Sequence, residues 1–421
     1  MVFADKLFNN LDKSIYLLAL LPLAIVIGNF FVNSIILIIS ISYLINLIKT
    51  KDFIFLKNKK FQIVIFFFFL IIISSIFSDY FFYSIKNSLS YLRFLFFFLA
   101  LTFWLKKYPK VLEYFIYLYF FICVILMLDI SFQNITGTDF FGYEKELSYR
   151  SSGFFGDEYI SGSFAIKILP LCYFIFLIKK QKFLKYFSIL VIFSIIILSG
   201  ERASFVSFII LFLIFLYFID WKKKLYVVLI ASVILFISFK FFYNHTNQLG
   251  RITAGLIKDI GLTHLIYKKT NITLSETHKE NITHDIIKSS HWSAHYYTAY
   301  NIWIDNKIFG SGRKTFRLEC AQEKYNNRDY KYIDDRCSTH PHHMLLEILS
   351  ETGIMSFLVF LLILFFNFKT FKKKDTIVSF VTIFILINPF IPSGSFFTTI
   401  NALYFWFYLS LSENDFFEKK N

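Results

Sequence analysis

Apolar residues form long runs along the chain, and polar residues collect in short blocks between them. A mostly apolar run of about 18 residues is long enough to cross the hydrocarbon core of a bilayer as a helix. The pattern therefore predicts about twelve transmembrane helices. Their approximate positions are 14–31, 32–48, 61–78, 83–105, 111–132, 160–178, 183–199, 202–219, 224–243, 344–367, 376–390 and 396–411. No small-residue cleavage site follows the first run, so we expect it to be a retained span.

The overall composition agrees with a membrane protein. Apolar residues make up 56% of the 421 residues and aromatic residues 21%, and the mean hydropathy is +0.57. Charged residues make up 17%, whereas a soluble domain usually has about a quarter. This composition excludes a soluble globular domain, and we expect membrane lipid around the protein and no nucleic-acid partner.

The distribution of lysine predicts the orientation of the spans. Lysine and arginine in short loops remain on the cytoplasmic side of a membrane. With the N-terminus inside, the internal loops are rich in lysine, whereas the short external loops contain only Lys145, Arg150 and Arg202. We therefore predict that both termini are cytoplasmic. The lysine-rich internal loops are 49–60, 106–110, 179–185, 222–224 and 369–374.

This topology divides the chain into three regions. Residues 1–243 hold spans one to nine, residues 244–343 form a large external (periplasmic) loop with its own helices, and residues 344–421 hold the last three spans and a short cytoplasmic tail. A loop of this length is expected to fold or to act as a lid. All nine histidines lie in it. Polar residues also collect wherever there is water, and that simpler explanation stays open for the first five histidines.

The loop also contains the cysteine pair Cys320 and Cys337, whereas Cys123 and Cys172 lie in apolar runs as small packing residues. An oxidising exterior favours a disulfide between the pair. In the chain-entropy model, closing a loop of this size restricts the unfolded chain by roughly 3 kcal/mol. A zinc site of these cysteines and nearby histidines is the alternative, but no CxxC spacing is present, and we predict no metal.

Three stretches combine glycine with polar residues at the edges of predicted spans. The first is Arg-Ser-Ser-Gly-Phe-Phe-Gly-Asp at 150–157, and the second is Leu-Ser-Gly-Glu-Arg-Ala-Ser-Phe at 198–205. The third joins Phe-Gly-Ser-Gly at 309–312 to His-Pro-His-His at 340–343, which leads into Glu347, Glu351 and Gly353. An arginine inside a bilayer costs about 2.5–3.5 kcal/mol on insertion scales, so Arg202 either reaches the surface or has an anionic partner such as Glu201.

Together these stretches resemble the O-antigen ligase and polymerase superfamily of bacterial envelope glycosyltransferases. Its members have an Arg-containing Ser-Gly turn between two central spans, a large outer loop with a Phe-Gly-x-Gly segment, and a His-x-His-Asn entry into the next helix. The resemblance covers roughly residues 150–360. It departs from the pattern at two places. His343 stands where Asn is usual, and the region of His291, Trp292 and His295 replaces an expected arginine.

The resemblance implies an all-α polytopic membrane protein with a GT-C-like bundle and one large extracytoplasmic loop. It also implies a metal-independent transfer, without cofactors, at the outer face of the inner membrane. A glycan would pass from an undecaprenyl diphosphate carrier to an acceptor hydroxyl on the lipid A core or on another glycan. A ligase, a polymerase and a protein O-glycosylating enzyme share these motifs. We favour a ligase, because there is one large outer loop and no additional C-terminal soluble domain.

The resemblance assigns the functional histidine to His342 and the membrane-edge arginine to Arg202. An imidazole with a pKa near 6.5 suits a base for the incoming hydroxyl, and a guanidinium binds phosphate oxygens in pairs. His340 either orients His342 or faces water. The remaining substrate-binding candidates are Arg150, His291, His295, Arg313, Arg317 and His340, with Arg251 as a further alternative for the second phosphate ligand.

Two alternatives remain open from the sequence. Glu347 and Glu351 share a helix face, where they either stabilise the helix N-terminus through its dipole or take part in catalysis. In a different class, a transporter or flippase of lipid-linked sugars would also be a basic, multi-span protein. Such a transporter should carry ionisable residues at mid-membrane depth and two related halves, whereas here Arg93 and Lys167 are the main charges within spans and no repeat is visible.

Overall fold

The computed structural model describes residues 11–145, 147, 150–217, 252, 288, 290, 292–330, 332–368, 374–389, 391–414 and 416. Within them the chain is helical and contains no strand, with an isolated bridge between Thr138 and Glu144. The described α-helices, in chain order, are α1 Leu21–Ile27, α2 Asn29–Thr50, α3 Lys59–Ile76, α4 Phe81–Tyr91, α5 Arg93–Lys107, α6 Lys110–Thr136, α7 Ser161–Ile178, α8 Lys182–Ser199, α9 Arg202–Tyr217, α10 Ser293–Asp305, α11 Phe316–Glu319, α12 Met344–Phe368, α13 Lys374–Leu386 and α14 Thr399–Leu411. Short 3-10 helices cover Leu11–Leu20, Ile54–Lys57, Gly153–Phe155, Glu323–Tyr325 and Ile333–Asp335.

Seven helical stretches in this described part are long and apolar enough to cross a membrane. They are Asn29–Thr50, Lys59–Ile76, Phe81–Lys107, Lys110–Thr136, Ser161–Ile178, Lys182–Ser199 and Met344–Phe368. The all-helical membrane class is therefore confirmed. The count of about twelve spans stays a prediction, because α9, α13 and α14 are shorter and the predicted span 224–243 lies outside the described residues.

The first predicted span, 14–31, is divided differently in the structure. A 3-10 helix over Leu11–Leu20 continues into α1, which has Pro22 in its first turn and ends at Gly28. Gly28 has a φ of 140° and a ψ of 167°, a conformation that glycine adopts without a side-chain clash. Because of this break, α2 begins at Asn29. The length of an apolar run does not show whether a glycine within it interrupts the helix.

The chain forms two compact units. The first unit comprises Met1–Phe115 and His264–Asn421, and the second comprises Ile116–Thr263. In the first unit, α12 packs against α3 and α10, and α14 packs against α5 and α13. Trp406 on α14 is fully buried and donates a 3.1 Å hydrogen bond to the Tyr91 hydroxyl. Its ring also lies 4.9 Å from that of Phe68, so aromatic contacts form the centre of this unit.

Part of the predicted outer loop folds within the first unit. Ala299 and Ile302 of α10 pack with Phe316, Cys320 and Tyr325 in a small apolar core. The side chain of Asp305 binds Lys324 at 2.7 Å and accepts a 2.9 Å hydrogen bond from Tyr325. The described residues 293–330 and 332–343 therefore form a packed layer that contacts α12. The predicted region 244–287 lies outside the described residues, apart from Ile252.

The second unit is built from α7, α8 and α9, which pack against one another, and from most of α6. The Tyr119 ring on α6 stacks on Phe164 of α7 with centroids 4.4 Å apart, and its hydroxyl donates to the Phe164 carbonyl at 2.8 Å. The hydroxyl is thus satisfied within the apolar packing, as a buried polar group requires.

Candidate functional site

His342 lies in a bend immediately before α12 and is surrounded by rings. The centroid of its imidazole is 4.6 Å from Trp292, 5.1 Å from His295 and 4.3 Å from His340. Its backbone has a φ of 54°, which is uncommon for a residue with a side chain. The Ser393 N–H donates to its carbonyl at 2.8 Å, so the turn after α13 supports this conformation. We refer to Trp292, His295, His340 and His342 as the histidine cluster.

His340 is a neutral member of this cluster. Burial lowers its pKa to about 4, since desolvation disfavours the charged imidazolium. Its Nδ1 lies 2.9 Å from the Thr339 hydroxyl. The side chain therefore remains uncharged near neutral pH and cannot supply positive charge to a phosphate there.

Arg317 is the predicted arginine that lies next to the histidine cluster in the first unit. Its side chain is exposed, and Nη2 donates to the Thr339 carbonyl at 3.2 Å, one residue before His340. Its charge is also among the causes that lower the pKa of His340. An exposed guanidinium beside a half-buried imidazole is suited to binding an anion from solvent.

Arg313 lies in a different environment, because its side chain is only 3% exposed. Its guanidinium donates to the carbonyl of Asn87 and, at 3.2 Å, to that of Phe397. It also lies 4.5 Å above the Tyr91 ring, and burial lowers its pKa to about 10. Arg313 thus connects α4 to the segment before α14. Its predicted role in substrate binding stays a prediction.

The Phe-Gly-Ser-Gly segment lies directly on α12. The N–H groups of Ser311 and Gly312 donate to the carbonyls of Ser350 and Glu351 at 3.0 and 2.9 Å. Gly353 interrupts the helix with a φ of 74° and a ψ of 176°, and a Cβ on it would collide with the Ile308 carbonyl. Close contact between two backbones therefore explains Gly310 and Gly353, whereas a Cβ on Gly312 would meet the side chains of Ser78 and Ser84.

Glu347 and Glu351 are fully buried and hold backbone groups of other segments. The Glu351 carboxylate accepts hydrogen bonds from the N–H groups of Lys314 and Phe316 at 2.6 and 3.2 Å. The Glu347 carboxylate accepts from the Ser395 hydroxyl at 2.5 Å and from the Phe396 N–H at 2.6 Å. An interaction with the dipole of their own helix does not account for these bonds, which stabilise loops outside the helix.

His343 caps the N-terminus of α12. Its Nδ1 accepts from the Leu346 N–H at 3.2 Å, and Nε2 lies 3.3 Å from the Pro389 carbonyl. Because Nδ1 is an acceptor and a carbonyl can only accept, Nε2 carries the hydrogen. Burial lowers the pKa of His343, in agreement with this neutral form. Histidine here takes a role for which Asn is also suited at a helix N-cap.

Cys320 and Cys337 are joined by a disulfide with Cα atoms 5.3 Å apart, and Cys123 and Cys172 are buried free thiols. Among the described residues, no group of three His, Cys, Asp or Glu side chains could hold a metal ion. The zinc alternative would need ligands beyond the disulfide pair, because cysteines in a disulfide have no thiolate to offer.

Arg150 and Arg202 belong to the second unit, whereas the histidine cluster belongs to the first. The Arg150 guanidinium donates to the Tyr159 carbonyl at 3.0 Å and lies 4.3 Å above the Tyr159 ring. Arg202 is partly buried and begins α9. The predicted ligands His291 and Arg251 lie outside the described residues.

Glu201, which precedes Arg202, holds the N-terminal turn of α7. Its carboxylate accepts from the N–H groups of Gly162 and Ser163 at 2.6 and 3.0 Å and from the Ser204 hydroxyl at 2.9 Å. Burial raises the pKa of this carboxyl, while the hydrogen bonds oppose that shift. Anionic groups are stabilised at a helix N-terminus, so Glu201 fixes the turn that carries Arg202.

Sequence reasoning missed two contributors to the site. The Arg336 carbonyl is a hydrogen-bond partner of His295, and Ser393 fixes the His342 backbone. Arg336 could have been found from the sequence because it directly precedes Cys337, a cysteine of the predicted disulfide. Ser393 could have been found because it lies in a Pro-Ser-Gly-Ser sequence, which predicts a polar turn between two apolar runs.

The model of the protein family described as O-antigen ligase matches residues 187–361. This range contains α8 from its second turn, α9, the histidine cluster and α12 as far as residue 361. Comparison with curated proteins found no match. The match over residues 187–361 therefore supports the O-antigen ligase and polymerase superfamily, which the sequence motifs also indicate.

Proposed function

We propose that this chain, a member of the O-antigen ligase and polymerase superfamily, transfers a glycan from undecaprenyl diphosphate to an acceptor hydroxyl on the lipid A core. The reaction would take place at the periplasmic face of the bacterial inner membrane, with both termini of the protein in the cytoplasm. No metal or other cofactor is part of the proposal. The observation that carries it is the half-buried imidazole of His342, enclosed by Trp292, His295 and His340, with the Arg317 guanidinium nearby.

The proposed chemistry gives His342 the role of general base. In its neutral form an imidazole accepts the proton of the acceptor hydroxyl as the oxygen attacks the anomeric carbon. The bond from that carbon to the diphosphate oxygen breaks, and the diphosphate leaves on its lipid carrier. General-base catalysis typically contributes about 10²–10⁴-fold in rate, so loss of the imidazole should be severe.

The leaving diphosphate requires positive charge that does not depend on pH. We assign this role to Arg202, with Arg150 and Arg317 in support, because guanidinium groups bind phosphate oxygens in pairs and remain charged. Arg317 is supported by its exposure beside the histidine cluster. Arg202 is supported by the carboxylate of Glu201, which anchors its turn.

The experiment is transfer by the purified full-length protein from an undecaprenyl-diphosphate-linked glycan to a lipid A core acceptor. His342→Ala and Arg202→Ala should each lower transfer by at least about 10²-fold. Arg328→Ala is the matched control, because Arg328 is an exposed arginine of the same outer layer that pairs with Asp334. If both active-site variants retain full transfer, the assigned roles are wrong. An unchanged rate with a chelator is expected if no metal takes part.

The acceptor distinguishes a ligase from a polymerase. In cells without the gene, a ligase defect should remove long-chain polysaccharide from lipopolysaccharide while the lipid-linked polymer accumulates. Decoration by single repeat units alone would instead indicate a polymerase. Lipopolysaccharide and carrier-linked glycan from the same cells, run on one gel, give both results at once.

A further inference from the structure

The Cys320–Cys337 disulfide encloses Arg336, whose side chain is 10% exposed. Its Nε donates to the Cys320 carbonyl at 3.0 Å, and its Nη2 lies 3.4 Å from the Ala321 carbonyl. The guanidinium therefore binds the backbone at the other end of the disulfide loop. Together the covalent bond and these hydrogen bonds fix the backbone of Arg336, including its carbonyl group.

That carbonyl is a hydrogen-bond partner of the histidine cluster. The Nδ1 of His295 lies 2.9 Å from the Arg336 oxygen, and the His295 side chain is 5% exposed. Because a carbonyl oxygen can only accept, Nδ1 carries the hydrogen of this bond. A histidine with Nδ1 held by a backbone carbonyl has a fixed ring orientation and a fixed tautomer.

The oriented ring of His295 is packed against His342. Their centroids are 5.1 Å apart with the planes at 60°, and Trp292 contacts both imidazoles at 5.9 and 4.6 Å. The disulfide is thus connected to His342 in three steps. Arg336 is next to Cys337, its carbonyl is hydrogen-bonded to His295, and the ring of His295 contacts that of His342. In a close-packed interior, a change at one end of such a path displaces the other.

We propose that His295 is a positioning residue for His342, and that the Cys320–Cys337 disulfide fixes the His295 ring through the Arg336 carbonyl. The inference rests on the proposed function, since His342 is the base there. Reducing the disulfide to two thiols releases the Arg336 backbone, and the imidazole of His342 leaves its working position. Glycan transfer therefore requires the oxidised protein.

The test compares transfer by the full-length protein before and after treatment with a thiol reductant, with thiol labelling to confirm reduction. Wild-type protein should lose about 10²-fold in kcat on reduction, the size expected for a misplaced catalytic group, with little change in the KM for the donor. The Cys320→Ala/Cys337→Ala variant should show the low rate without reductant and no further response. An undiminished wild-type rate after verified reduction overturns the proposal.

Two substitutions of His295 test the path itself. His295→Asn keeps an N–H donor at the position of Nδ1 but loses the ring that contacts His342, so it should be slow and should no longer respond to the reductant. His295→Phe keeps a ring but has no donor, so it should be slow in both redox states. If reductant slows His295→Phe as strongly as wild type, the coupling does not pass through His295.

A second readout does not depend on transfer. The difference in tryptophan emission between wild type and Trp292→Phe is the emission of Trp292, whose ring contacts His295 and His342. This emission should change when the disulfide is reduced. An unchanged difference overturns the proposal even where the variants fold poorly. His342→Ala in parallel separates the two hypotheses, because full transfer by that variant refutes the proposed function, whereas a redox-insensitive wild type refutes only this inference.

Discussion

Glu347 and Glu351 lie one turn apart on α12, yet their carboxylates hold two different segments of the chain. Glu351 binds the backbone after the Phe-Gly-Ser-Gly segment, and Glu347 binds the turn before α14. The same helix begins directly after His342 and His343. Both carboxylates therefore determine where the loops around the histidine cluster lie, and neither needs a catalytic role to explain its burial.

Loss of the Glu351 carboxylate should destabilise the protein. Glu351→Ala leaves the N–H groups of Lys314 and Phe316 without their acceptor, and hydrogen bonds to charged groups contribute about 1.5–3 kcal/mol each. We expect a loss of about 3 kcal/mol or more and a smaller loss for Glu351→Gln, which keeps one acceptor oxygen. Thermal unfolding in detergent measures it. Glu158→Ala, at an exposed position, is the control and should change little; equal effects at both sites would contradict the assignment.

Gly353 should not tolerate a side chain. Its positive φ costs of order 1–3 kcal/mol for a residue other than glycine, and a Cβ would also collide with the Ile308 backbone. Gly142 is a matched control, because its φ is +90° but nothing lies within 4 Å of the position that a Cβ would occupy. Gly353→Ala should therefore lower the unfolding temperature clearly more than Gly142→Ala. Similar shifts for the two variants would show that the backbone contact between 308 and 353 is unimportant.

The sequence predicted the helices of this protein better than its tertiary contacts. Apolar runs of sufficient length located α2, α3 and α12 within a few residues, because span length depends only on local composition. The break at Gly28 was missed, since a glycine in an apolar run does not reveal its backbone angles. The histidine motif located His342, but its neighbours Trp292 and His295 lie at the N-terminal end of α10, about fifty residues earlier.

The buried carboxylates show why such contacts escape a single sequence. Glu347 and Glu351 accept from residues that are 35 to 49 positions away. Most of their donors are backbone N–H groups, which every residue except proline carries. Spacing on one helix face was visible in the sequence, whereas the partners that decide the role of each carboxylate were not.

Substitutions of Arg313 and Arg317 distinguish an arginine that stabilises the fold from one that binds the phosphates of the donor. Replacing Arg313 removes its hydrogen bonds to the Asn87 and Phe397 carbonyls. A lysine cannot bind both carbonyls with the planar geometry of a guanidinium. We expect Arg313→Lys to lose roughly 2 kcal/mol or more of stability at an unchanged affinity for the lipid-linked donor. Arg317→Lys, at the exposed position, should show the opposite pattern. Weaker donor binding by Arg313→Lys at unchanged stability would instead support its predicted role as a phosphate ligand.

His343 should be replaceable by the residue that the family usually has at this position. Asn is among the best N-cap residues, and its side-chain oxygen can accept the Leu346 N–H that Nδ1 now accepts. His343→Asn should therefore keep the stability of α12 and the rate of transfer. His343→Ala removes the cap and should cost about 1 kcal/mol, measured as a lower unfolding temperature. Because burial lowers the pKa of His343 and its Nδ1 already accepts the Leu346 N–H, its exchange for Asn should leave the pH dependence of transfer unchanged. A rate loss with His343→Asn comparable to that of His342→Ala would mean that this second imidazole takes part in proton transfer.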